Sequence, residues 1–216
     1  MSRIPMLSGS RVALVNARDG VVLQPPRPSE KLVDTAAAVR DALRFPLSGS
    51  PLEALATRGG TATLVVQAPE LPLPGAEVDP RREALAAAID ELERLGVPSR
   101  RQTILVAGGL NRRAGQRELE TLLAPSFARR FHGRVEVHDA ESPDLVDLGV
   151  AARTPLRVNP LLLETDLVLC VTAAGSVLHG GPGALLGACG REVIRAATSY
   201  SLLETSASQG WRLAIS

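Results

Sequence analysis

Leu167-Val168-Leu169-Cys170-Val171 is a short, unbroken apolar run, and two others, Thr61 to Val66 and Thr103 to Ala107, precede it in the chain. Runs of this length, rich in β-branched residues and lacking polar alternation, fit strands buried on both faces, the habit of a parallel sheet. Segments with helical periodicity lie between and after them. The strongest is Pro80 to Leu95, amphipathic and followed by Gly96 as a cap. Others are Gly115 to Leu123 and Arg191 to Ala197. This alternation predicts an α/β fold, a mainly parallel sheet with helices on both faces, Rossmann-like in layout. Leu167–Val171 is expected as its central strand. Shorter strands are expected at Val135–His138 and Leu156–Asn159, and helical turns at Pro51–Ala56 and Pro160–Glu164.

The N-terminal part reads differently. Val12-Ala13-Leu14-Val15 and Val21-Val22-Leu23 flank Asp19-Gly20, a favoured tight-turn pair, so an N-terminal β-hairpin is expected over Arg11 to Gln24. Ser29 is a candidate N-cap for a helix from about Glu30 to Arg44, with Leu32, Val33, Ala36, Val39 and Leu43 as its apolar stripe. Phe45-Pro46 ends it. The expected division is a hairpin and helix start over residues 1–38, packed on one α/β domain over residues 39–216.

Composition narrows the function classes. Hydrophobic residues make up 45% of 216, enough for a substantial core, and the net charge of +1 points to no particular partner. Aromatics are 2%, which leaves no stacking platform for nucleic acid. No apolar run approaches the ~20 residues of a membrane span. Met1 to Ser10 has no apolar leader core, so a cytoplasmic chain with reduced Cys170 and Cys189 is expected. Nine arginines between Arg94 and Arg134 face only Glu118 and Glu120 within that stretch, as an anion-binding face or a solvated surface. Lys31 is the only lysine.

Sites in open α/β sheets gather beyond the C-terminal ends of the strands. Three loops qualify. Gln67 to Pro80 is proline-rich, Gly108-Gly109-Leu110-Asn111-Arg112-Arg113 follows the second strand, and six glycines fall between Gly175 and Gly190 after the third. Glycines let backbone N–H groups approach an anion closely. The ligand-binding candidates are therefore Gly108, Gly109, Asn111, Arg112, Gly180, Gly181 and Gly183, holding a small carboxylate or phosphate. The three loops are expected to converge on one pocket edged by Arg112 and His179. Candidates for catalysis are Asn111, His138 and His179, none of them firm. Each has a plainer reading: glycines that only let a helix pack on a strand, a hydrogen-bonded structural histidine, and solvated arginines. His132 reads as surface, and Trp211 as the anchor of a final segment.

From about Val39 to Leu203 the order of segments resembles the N-terminal domain of the lactate racemase family. The resemblance is carried by Pro46-Leu47-Ser48-Gly49-Ser50-Pro51-Leu52, Leu95-Gly96-Val97-Pro98, Val137-His138-Asp139-Ala140, Leu145-Val146-Asp147-Leu148-Gly149, Thr154-Pro155-Leu156-Arg157-Val158-Asn159, Glu164-Thr165-Asp166-Leu167-Val168 and Gly180-Gly181. It implies an isomerase that interconverts the enantiomers of a 2-hydroxy acid with a nickel-pincer pyridinium mononucleotide. Two histidines then act as acid and base, a lysine tethers the cofactor, and a further histidine ligates nickel. The sequence departs at each place. Gln67-Ala68-Pro69-Glu70-Leu71-Pro72 stands where the family has an arginine for the substrate carboxylate, and Asn111 stands at the first catalytic histidine. Ala173 or Ala174 is nearest to the second, Gly183 falls at the lysine, and about Thr198 at the nickel histidine. The family's second domain has no room after Ser216, so a separate chain of that type is an expected partner.

Three readings follow. The first is a family domain without nickel-pincer machinery, with no cofactor, that binds a small anion or works with a partner chain. The second is an isomerase using other residues, His138, His179, Asn111 and Arg112. The third is a protein-interaction module.

Overall fold

The computed structural model describes residues 2–8, 11–17, 34–68, 79–111, 113–151, 153–172 and 181–197. The chain divides into two compact units, Met1–Val33 and Asp34–Ser216. In the first, β1 (Ser2–Ser8) pairs antiparallel with β2 (Arg11–Ala17), Ser8 opposite Arg11. The described hairpin thus precedes the expected one. The arm expected at Val21–Leu23 lies outside the described residues.

The second unit begins with α1 (Thr35–Arg44), capped by the Asp34 carboxylate, which accepts from the Ala37 N–H at 2.8 Å. The cap is Asp34, not Ser29. A short turn, α2 (Leu52–Leu55), leads into β3 (Ala62–Gln67). Then come α3 (Pro80–Arg94), β4 (Gln102–Ala107), α4 (Gln116–Leu122), α5 (Pro125–Arg130) and β5 (Arg134–Val137). An antiparallel ribbon follows, β6 (Val146–Ala151) with β7 (Thr154–Val158), and then β8 (Leu167–Val171) and α6 (Arg191–Ala197). Residues 160–162 and 181–188 form 3-10 helices. Among the described residues no helix is long and apolar enough to cross a membrane.

The main sheet is parallel, in the order β5-β4-β3-β8. The expectation of one Rossmann-like α/β sheet with helices on both faces holds. The place of Leu167–Val171 does not: it is the end strand of the described sheet, and only Val171 is buried. The central pair is β3 and β4, buried along almost their whole length.

Alternation of side chains splits this pair between two cores. Leu64, Val66, Ile104 and Val106 meet Leu85, Ala88, Ile89 and Leu92 of α3. That four-residue stripe, at spacings of three and four, is what turns α3 onto the sheet. Asp79 caps the helix, Pro80 opens it, and Gly96 at φ +90° closes it in a left-handed conformation that favours glycine. Val65, Leu105 and Ala107 point the other way. There they meet Ala188 and the half-buried Leu161, Leu162, Ala184 and Leu185. Among the described residues, the second face is covered by 3-10 helices.

Two elements were not foreseen. α5 breaks off from α4, and Phe127 stacks on Phe131 with centroids 5.7 Å apart. Strand β6 is exposed at all six positions, and its register shifts between Asp147 and Val150. Gly149 there takes φ +94°, and its N–H donates to Asp147 Oδ1 at 2.7 Å.

Candidate functional site

The C-terminal ends of β3, β4 and β5 lie side by side because the ladder continues past the strands. Ala68 N–H donates to Ala107 O at 3.1 Å, and His138 N–H donates to Val106 O at 2.9 Å. The 3-10 helix over residues 181–188 lies against this edge: Gly109 N–H donates to Gly187 O at 3.0 Å. Gly109 has φ +58°. A Cβ on Gly187 would sit 3.1 Å from Ala107 O. Both glycines thus serve a close backbone approach between the helix and the end of β4.

Among the sequence candidates, Gly108, Gly109 and Asn111 leave the end of β4, and His138 leaves the end of β5. Asn111 is exposed, and its N–H closes a turn onto Gly108 O at 3.0 Å. Gly181 and Gly183 belong to the 3-10 helix. Arg112, His179 and Gly180 lie outside the described residues, as do Lys31, Ala173, Ala174, Thr198 and Trp211. The structure brings Gly109 to Gly187, and His138 to Cys189.

His138 is 3% exposed, and both ring nitrogens are engaged. Nε2 lies 2.9 Å from Cys189 O, and Nδ1 lies 3.2 Å from the Asn159 amide nitrogen. A carbonyl accepts and an amide nitrogen donates, so the ring is the neutral tautomer with its proton on Nε2. Burial pulls its pKa below the usual histidine value, against the Cys189 carbonyl bond and the Asp139 charge, which favour the cation. The arrangement is that of the structural histidine weighed in the sequence.

The sequence reading missed Arg81. It is 6% exposed and forks onto the Asp79 carboxylate, with Nη2 2.6 Å from Oδ2. Its Nη1 donates to Gln67 O at 3.0 Å, tying the start of α3 to the end of β3. Burial pushes the Asp79 carboxyl up, but the Arg81 hydrogen bonds outweigh it and leave the pKa below the ordinary range. Asp-Pro-Arg at a helix start, after a loop leaving a strand end, was the available signal.

Several arginines between Arg94 and Arg134 have local partners. Arg94 meets Glu91, Arg113 meets Asp139, Arg130 meets Asp90 and Arg134 meets Glu136. Cys170 and Cys189 are free thiols whose pKa values burial pushes up, away from nucleophile duty. A groove of about 290 Å³ lies between α3 and α5, lined by Arg82, Ala86, Ala124, Phe127 and Arg130 among others. None of the described sequence candidates lines it.

Comparison with known proteins adds the family. Residues 9–207 match the lactate racemase N-terminal domain. The lactate racemase apoprotein from Thermoanaerobacterium thermosaccharolyticum is similar in structure, with a TM-score of 0.53 at 20% identity, over 78% of this chain and 38% of that one. A Thermotoga maritima protein gives a TM-score of 0.47 at 19% identity, over 62% of this chain and 32% of that one. The chain thus spans well under half the length of either. No curated protein matches it. With the match covering most of the sequence and the sheet bearing out the fold, the chain belongs to the lactate racemase N-terminal domain family.

Proposed function

We propose that this domain binds a small carboxylate or phosphate at the C-terminal edge of its sheet, alone or completed by a partner chain. By itself it does not racemise 2-hydroxy acids through a nickel pincer. The observation that carries the second statement is the engagement of His138. It is the described histidine nearest the strand ends, and its ring is spent on two protein hydrogen bonds.

The residues fit the nickel group poorly. A tether needs an amine, and the resemblance puts Gly183 in its place, within a 3-10 helix, while the only lysine is Lys31. Acid–base work on a substrate hydroxyl needs a group that exchanges a proton near neutral pH. Asn111, at the place of the first catalytic histidine, cannot do that. Anion binding needs less. The N–H groups of Gly109 and Asn111 are taken by protein carbonyls, so the donors would come from the glycine-rich stretch that includes Gly180 and Gly181, and Arg112, next to Asn111, would supply charge.

The test is thermal stabilisation by a panel of carboxylates and phosphates, on the wild type and on Arg112→Ala. Saturable stabilisation that Arg112→Ala weakens by tenfold or more supports the reading. Equal, negligible shifts for both proteins across the panel contradict it.

A further inference from the structure

One hydrogen-bonded chain, partly buried at Asn159 and buried at His138, runs in a single direction. Leu161 N–H donates to Asn159 Oδ1 at 3.0 Å. The Asn159 amide group donates to His138 Nδ1 at 3.2 Å, and His138 Nε2–H donates to Cys189 O at 2.9 Å. The first bond fixes which way the amide points. The amide then fixes the tautomer, and the tautomer fixes the grip on Cys189. Backbone bonds join the same segments: Asn159 N–H donates to Ala188 O at 3.0 Å, and Gly190 N–H to Arg157 O at 2.8 Å.

We propose that His138 is a proton-sensitive pin: as neutral imidazole it fastens the segment from Leu185 to Gly190 to the sheet edge, and as imidazolium it lets that segment open. The reason is stereochemical. A proton on Nδ1 sets N–H against the N–H of Asn159. Turning the amide over would relieve that clash but set its NH₂ against Leu161 N–H, uncapping the turn at residues 160–162. In the first case the buried ring N–H loses its acceptor, in the second the partly buried Leu161 N–H does, and such losses are costly. The chain has no arrangement that satisfies every member once the ring is charged.

The charges around the ring do not rescue the cation. Asp139, the next residue, favours it, but Arg113 from the loop after β4 opposes it and is paired with Asp139 at 3.3 Å. On the α6 side Arg191 is held by Glu141 at 2.6 Å, and Glu192 by Arg157 of β7 at 3.0 Å. The Cys189 thiol is turned to Leu185 O at 3.3 Å. Val106 of β4 brings no charge. Burial of the ring is left as the deciding influence. The pin stands whether or not the segment holds a ligand.

Amide hydrogen exchange over Leu185–Gly190, corrected for its intrinsic pH dependence, tests this between pH 8 and pH 5. In the wild type the local opening constant rises below about pH 6.5, by up to about tenfold per pH unit, the limit for uptake of one proton. Amides of Leu85–Leu92 in α3 stay flat and report the global fold. His138→Gln, which can donate to Cys189 and accept from Asn159 without titrating, is flat in both regions. Asn159→Asp accepts from both Leu161 and a charged ring, so its protection holds or improves at pH 5. A flat wild type overturns the proposal. So does acid sensitivity that persists in His138→Gln or, if that variant does not fold, in Asn159→Asp.

Discussion

On one face of the sheet, Leu64, Val66, Ile104 and Val106 meet buried residues of the 15-residue helix α3. On the other, Val65, Leu105 and Ala107 meet short 3-10 segments in which Ala188 is fully buried and Leu161, Leu162, Ala184 and Leu185 are half-buried. The first face is secured by apolar area, with ion pairs at its margin: Glu91, 3% exposed at its side chain, is shared by Arg44 and Arg94 and joins α1 to α3. Among the described residues, the second has fewer buried apolar side chains and adds directed polar bonds through Asn159, His138 and Thr63, whose hydroxyl donates to Leu161 O at 3.0 Å. Where burial is thin, polar groups must supply position, and position is what a site requires. The face with the weaker hydrophobic grip is the one that carries the glycine segment.

The comparison makes graded predictions. The largest effect belongs to the α3 face. Leu92→Ala should cost about 3–5 kcal/mol in urea unfolding, because a fully buried side chain leaves a cavity. Leu185→Ala, half-buried on the second face, should cost about 1–2 kcal/mol. Equal losses would erase the distinction.

Glu91→Gln should cost about 1–3 kcal/mol at pH 7, since one buried carboxylate serves two arginines that stay partly solvated. Hydrogen bonds from Arg44, then from Arg94, hold the Glu91 carboxyl down at about 2, against an ordinary 4.5. The folded pKa is the lower one, so this stabilisation is complete above pH 4.5. It is lost as the pH falls from there towards 2. The wild type and Glu91→Gln should converge in stability over that window, and a constant gap would contradict it.

On the second face the sign is the same but the window is higher. The His138 pKa is lowered on folding, so its contribution is present above about pH 6.5 and declines as the pH falls through the folded-state value. Asn159→Ala should cost about 1–2 kcal/mol at pH 8 and progressively less as the pH falls below about 6.5, where proton uptake by the opened or unfolded ring works against that contact in the wild type. The smallest effect is expected for Arg130→Ala. Its pair with Asp90 is exposed on both sides, so a loss above about 1 kcal/mol would be out of line.

How far these features were legible in the sequence follows the same divide. Strands β3 and β4 and helix α3 are legible to within a residue or so, because runs such as Leu64-Val65-Val66 and a stripe such as Leu85, Ala88, Ile89, Leu92 are written locally. Strand β6 was not: Val146, Leu148 and Val150 all stay exposed, and Gly149 breaks the alternation. The hairpin was assigned around Asp19-Gly20, whose turn chemistry is stronger than anything near Ser8, and Pro5 disguises β1 as a non-strand. The start of α1 was misplaced because Ser29 and Asp34 are equally good caps and Leu32 and Val33 extend the stripe. At the strand ends, glycines announced close backbone approach but not its target. The partnership of His138 with Asn159 and Cys189 spans 21 and 51 positions, and no local pattern encodes it.

The most direct test of the functional account is nickel loading. The chain is expressed with the enzymes that make the pincer cofactor, bound nickel is measured per chain, and loss of optical activity is followed from L-lactate. The account predicts substoichiometric nickel and no racemisation. Stoichiometric nickel, with racemisation that disappears in His179→Ala, would contradict it and make this domain an enzyme working through residues other than the family's own.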